Sequence, residues 1–150
     1  MPVSGGPYLI AALFCDRVLQ EKHDDVFSAI RLVDRWNISG QTTEMPQSIV
    51  QTNLLVLFKS GSYRGSGQLT LTPITPSNDR LASITFPLRF DGDDERGTGV
   101  AVPFGYTVNE EGLYWFEVSL ALHNLAPNLV TCIPMRVAYI HLPPRPATEQ

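Results

Sequence analysis

Between Gly112 and Leu122 the chain reads Gly-Leu-Tyr-Trp-Phe-Glu-Val-Ser-Leu-Ala-Leu, with Tyr114, Phe116, Val118, Leu120 and Leu122 apolar at every second position. Glu117, Ser119 and Ala121 fill the positions between them after Trp115. A period of two sends successive side chains to opposite faces of a strand, one toward a core and one toward water. The same period recurs from Leu81 to Phe90, where Ala82, Ile84, Phe86, Leu88 and Phe90 oppose Ser83, Thr85, Pro87 and Arg89. Pro87 has no amide to donate, which predicts a sheet edge or a bulge for that strand.

Six further segments read as strands. Tyr8–Cys15 is apolar on both faces, as a central strand is. Val26–Trp36 alternates imperfectly and ends in Trp-Asn-Ile-Ser-Gly, an ending that favours strand over helix. Residues 37–48 read as a polar loop with Gly40 and Pro46. Val50–Phe58 is buried on at least one face, and the glycine-rich link 60–67 leads into Gln68–Ile74 as a hairpin partner or a crossover. Val100–Tyr106 and Leu129–His141 complete the series. The pattern predicts an all-β fold, an antiparallel β-sandwich of about eight strands, C2/immunoglobulin-like in general architecture. Its domain spans residues 8–141, between a flexible N-terminus at 1–7 and a disordered, proline-rich tail at 142–150.

Composition narrows the function classes. A chain of 150 residues with 43% hydrophobic residues builds a core without a metal or disulfide, and 11 Gly with 12 Pro suit many turns. The formal net charge is -4, carried against nine Arg and two Lys with no basic run. Nucleic-acid backbones and anionic membranes both demand a dense cationic footprint, so neither is an expected partner. The first residues carry no cationic signal region, and the apolar run Tyr8–Phe14 is too short to span a bilayer, which predicts a cytoplasmic protein. Cys15 and Cys132 lie in the first and last strands, widely separated, and read as buried free thiols.

Chemistry-bearing constellations are sparse. His23, His123 and His141 share no spacing with one another or with a nucleophile, so a small hydrolase is the least favoured class. Asp91, Asp93, Asp94 and Glu95 form a loop of hard oxygen ligands suited to calcium, without the EF-hand spacing. Calcium is the one cofactor the chain suggests, and none is required. Gly61, Gly65 and Gly67 lack the lysine and following helix of a phosphate loop. Trp36 and Trp115 are candidate interaction residues, because exposed tryptophan anchors interfaces and stacks on sugars. Arg31 and Arg35 join them as cationic candidates.

The segments Tyr8-Leu-Ile-Ala-Ala-Leu-Phe-Cys-Asp16, Ser28-Ala-Ile-Arg-Leu-Val-Asp-Arg35, Gly112-Leu-Tyr-Trp-Phe-Glu-Val118 and Ile133-Pro-Met-Arg-Val137 together resemble a family of small bacterial or phage-associated β-sandwich proteins of unknown function. The resemblance covers residues 8–141 and implies the fold, with no site residues to carry over. His123-Asn124 departs from the tighter Asp-Gly-like turn expected of that family, which leaves the last hairpin open. The expected function is a non-enzymatic protein-interaction or accessory module, through an exposed aromatic or an open sheet edge. Its partner is another protein or a second copy in a homodimer. The alternative is a ligand-binding sandwich, taking calcium through the 91–95 loop or a sugar through an exposed tryptophan.

Overall fold

The structure, a computed structural model, describes residues 5–23, 26–93 and 97–148. Within them the chain forms nine strands: β1 (Tyr8–Gln20), β2 (Phe27–Val33), β3 (Arg35–Gly40), β4 (Ser48–Lys59), β5 (Gly65–Ile74), β6 (Ile84–Phe90), β7 (Gly97–Val108), β8 (Gly112–Leu122) and β9 (Asn128–His141). They make an all-β fold of two sheets. One has the order β2-β1-β4-β7, the other β3-β9-β8-β5-β6.

The period-two residues face one another across the sheets. Tyr114, Phe116 and Val118 of β8, Leu69 and Leu71 of β5, and Met135 and Val137 of β9 are buried together with Phe14, Leu54, Val56, Phe58, Phe104 and Tyr106 from the other sheet. Phe116 sits at the centre of an aromatic cluster, its ring centroid 4.9 Å from Phe14 and 5.0 Å from Tyr106, both edge-on. Edge-on pairs at this range each add about 0.5–1.5 kcal/mol beyond the area they bury.

Two corrections arise at the segment 26–48. The single strand expected over Val26–Trp36 is two strands in different sheets, separated at Asp34. Val33 packs on the core from β2, whereas Trp36 and Ile38 pack on it from β3. The inward positions thus change from odd to even where the chain crosses, while within β2 the apolar Ile30 and Leu32 are exposed, so apolar residues fall on both faces and the alternation is imperfect. The predicted loop accordingly begins after Gly40, because Asn37–Gly40 belongs to β3. The sheets are also not wholly antiparallel: β3 runs parallel to β9, from Arg35↔Arg136 to Gly40↔His141.

The four-stranded sheet curls. β1 leaves β4 after Cys15, where Thr52 Oγ1 donates to the Cys15 carbonyl and Asn53 Nδ2 to the Asp16 carbonyl. From there β1 pairs with β2 alone, through Gln20↔Phe27. Arg31 bends the hairpin with a φ of 56° and reaches Asp16 through Nε at 3.3 Å. The Phe27 ring then lies over β7: a Cβ added to Gly99 would stand 3.2 Å from Phe27 Cε2 and 2.6 Å from Leu57 Cδ2. This second layer explains why Cys15 and Leu55 are buried although they point away from the main core. Gly99→Val overfills the contact and should cost about 2 kcal/mol of stability, read as a lower midpoint in urea unfolding. An unchanged midpoint would mean that Phe27 does not pack there.

Edge strands carry the expected chemistry. Pro87 lies in β6, the outermost strand of its sheet, where no neighbour needs its missing amide. The chain crosses between sheets at every connection except β1–β2, β5–β6 and β8–β9. β6 and β7, each the last strand of its sheet, approach one another on the same side of the molecule.

Candidate functional site

On the outer face of the five-stranded sheet, Trp115 stands opposite the core side chains of β8. It is paired with Ile74 of β5 on one side and Pro134 of β9 on the other. It is 41% exposed, and Pro134 is exposed beside it. The rest of this face along β5 and β8 is largely polar, with Thr70, Thr72, Glu117 and Ser119 in adjacent positions. Glu117 receives both terminal nitrogens of Arg80. Arg80 is exposed and Glu117 half-buried, so the pair contributes modest stability, but it leaves Trp115 beside a neutralised charge.

Two further cations border Trp115. Arg136 lies across from Leu113, one outward position from Pro134, and Arg35 is its register partner on β3. Trp36 and Val137, the next pair along, turn into the core, so Arg35 and Arg136 turn out. Both are exposed, and neither has an ion-pair partner among the described residues. Like charges directly opposite one another on neighbouring strands oppose folding. Glu111, immediately before β8, accepts the Tyr139 amide.

The other sequence-nominated residues are dispersed. Trp36 joins the aromatic cluster, 5.3 Å from Tyr106 and 5.6 Å from Phe14. Arg31 pairs with Asp16 on the other sheet. Asp91 lies 3.6 Å from Arg89 Nε, and Arg64 Nε donates to the Gly92 carbonyl, so guanidinium groups border the acidic loop. Asp94 and Glu95, the other half of that candidate calcium loop, lie outside the described residues. His23 precedes β2, His123 follows β8, and His141 ends β9 with Nε2 3.1 Å from the Gln41 carbonyl. Cys15 and Cys132 are free and lie in different sheets. Cys15 is buried, which pushes its thiol pKa up, and Cys132 is half-buried.

A cleft of about 640 Å³ opens between β7 and the chain entering β6. Phe104 and Tyr106 wall it from β7, Leu81 and Ile84 from the opposite side, and Asp79 and Glu110 stand at its rim. Its size and mixed lining match ordinary ligand sites. The Ser77 hydroxyl and amide both donate to Glu110 Oε1 and hold that carboxyl below its usual range. Tyr106 is only 8% exposed, and its hydroxyl has no hydrogen-bond partner among the described residues. Burial, with the Tyr114 phenol nearby, drives its pKa far upward, so it stays protonated. The sequence offered no signal for this cleft, whose walls are 20 or so residues apart and meet only through the fold. No protein-family model matches the chain, and no curated protein is significantly similar to it.

Proposed function

We propose that this chain is a non-enzymatic interaction module that docks a protein partner through the outer face of its five-stranded sheet. Trp115 is the apolar anchor, and Arg35 with Arg136 selects an acidic segment of the partner. The observation that carries this is the row Ile74–Trp115–Pro134, bordered by two exposed guanidiniums that no carboxylate of the described chain neutralises. Tryptophan and arginine are the residue types that dominate binding energy at interfaces, and charge complementarity then selects the partner.

The frame we infer is a C2/immunoglobulin-like sandwich. Crossings between sheets at β4–β5, β6–β7 and β7–β8 support it. So does Tyr114 near the start of β8, whose hydroxyl donates to the Glu110 carbonyl four residues upstream. A tyrosine corner in such sandwiches makes a contact of this kind. A rigid frame of this kind holds Trp115 in place before binding, which lowers the entropy cost of association.

The test is selection from a random displayed-peptide library on the immobilised protein. Enriched peptides should carry Asp or Glu beside an apolar residue, and Trp115→Ala should weaken them by about 30-fold. Reversing Arg35 and Arg136 to Glu should abolish the acidic preference while leaving the circular dichroism spectrum intact. Peptides that bind wild type and Trp115→Ala equally would sink the proposal. So would a dimer that Trp115→Ala dissociates, since the face would then belong to a second copy.

A further inference from the structure

The cleft between β7 and the chain entering β6 lies apart from the Trp115 row and shares with it only the end of β5, where Pro73 lines the cleft and Ile74 flanks Trp115. Four consecutive residues of β7, 104–107, line one wall, and the consecutive residues 81–84 line the other. Neighbouring residues of a strand project to opposite faces, so four in a row along the β7 wall mean that the cleft meets β7 at its backbone edge, whereas the opposite wall is the non-strand chain that leads into β6 at Ile84. β7 is the last strand of its sheet, so the edge it turns to this gap is one that no other strand of the described chain pairs. The wall accommodates about four residues of extended chain, about 13 Å at strand rise.

The charge of the lining is one-sided. Asp79 and Glu110 stand at the rim, and no Lys, Arg or His of the described chain lines the cleft. Glu110 is held ionised by its two bonds from Ser77. Inside, Phe104 and Tyr106 lie 5.3 Å apart and 22° from parallel, apolar surface against which the stem of a long cationic side chain packs. The Tyr106 hydroxyl on the same wall is buried without a partner. An unpaired buried hydroxyl costs about 1–3 kcal/mol.

We propose that this cleft binds an extended peptide as an added strand on the free edge of β7, with a lysine or arginine side chain of the peptide seated between the aromatic wall and the carboxylates of Asp79 and Glu110. Backbone pairing supplies affinity, as in other strand-addition complexes, and the acidic rim supplies the preference for a cation. The proposal stands apart from the Trp115 surface, which favours acidic partners.

The experiment uses a positional-scanning library of short acetylated, amidated peptides, read by fluorescence anisotropy on the whole chain. One position should prefer Lys or Arg, and the doubly substituted Asp79→Asn, Glu110→Gln protein should bind that peptide about tenfold or more weakly. N-methylation of the peptide backbone should abolish binding, and nuclear magnetic resonance shifts should concentrate at the Gly105, Tyr106 and Thr107 amides. Ala82→Arg, on an exposed wall residue, places a cation in the cleft. It should weaken the peptide even where the carboxylate variant proves unstable. A library with no basic preference, full tolerance of N-methylation, or shifts centred on Trp115 would overturn the proposal.

Discussion

Phe116→Ala is expected to lose about 3–5 kcal/mol of folding stability, while Trp115→Ala, one residue earlier, should lose less than about 1 kcal/mol. The Phe116 ring is 0% exposed and touches Phe14, Trp36, Phe104 and Tyr106, with centroids between 4.9 and 6.3 Å. Those neighbours come from β1, β3 and β7, so truncation opens a void where three other strands converge, and tightly packed rings refill such space poorly. A loss of this size consumes a large part of the roughly 5–15 kcal/mol that holds a domain folded. Trp115 faces water from the same strand, and its removal creates no void. Denaturant unfolding of both variants, with the slope checked against wild type, measures the contrast. Equal losses would show that β8 does not present Trp115 outward.

The same contrast explains what could be read from the chain. The alternation in β8 and β6 named the inward residues correctly, except that β6 begins at Ile84 and leaves Ala82 exposed outside it, because strands with one solvated face impose a strict period of two. Pro87 marked an edge for a local reason, the missing amide, and needed no knowledge of neighbours. Long-range pairing left no such mark. Nothing local distinguishes β3 as a partner of β9, and the crossing at Asp34 merged two short strands of opposite phase into one ambiguous run. Arg136 was legible in principle: with Met135 and Val137 inward, the period sends it out, yet only the parallel pairing brings Arg35 beside it. The cleft was illegible because the edge of β7 and a non-strand segment, rather than a motif, build its walls.

The two tryptophans should separate cleanly by experiment. Trp36→Ala is expected to lose about 3 kcal/mol of stability, because the indole packs edge-on to Tyr106 and against Phe14 and Phe116. At temperatures where that variant stays folded, it should bind the acidic peptides selected on wild type with unchanged affinity. Its backbone partner Val137 is buried, and its side chain faces away from Arg35 and Arg136. Trp115→Ala should behave in the opposite way, keeping its stability and losing the peptides. Both effects on one variant would mean that the outer face and the core are coupled through β3 and β9. The parallel pair joining Arg35 to Arg136 would then have to move when the cluster around Trp36 is disturbed. A two-by-two comparison of melting midpoint and peptide affinity across Trp36→Ala, Trp115→Ala and the double variant decides between these outcomes. Additivity in both measurements is expected of residues that pack on opposite faces of a sheet and share no partner.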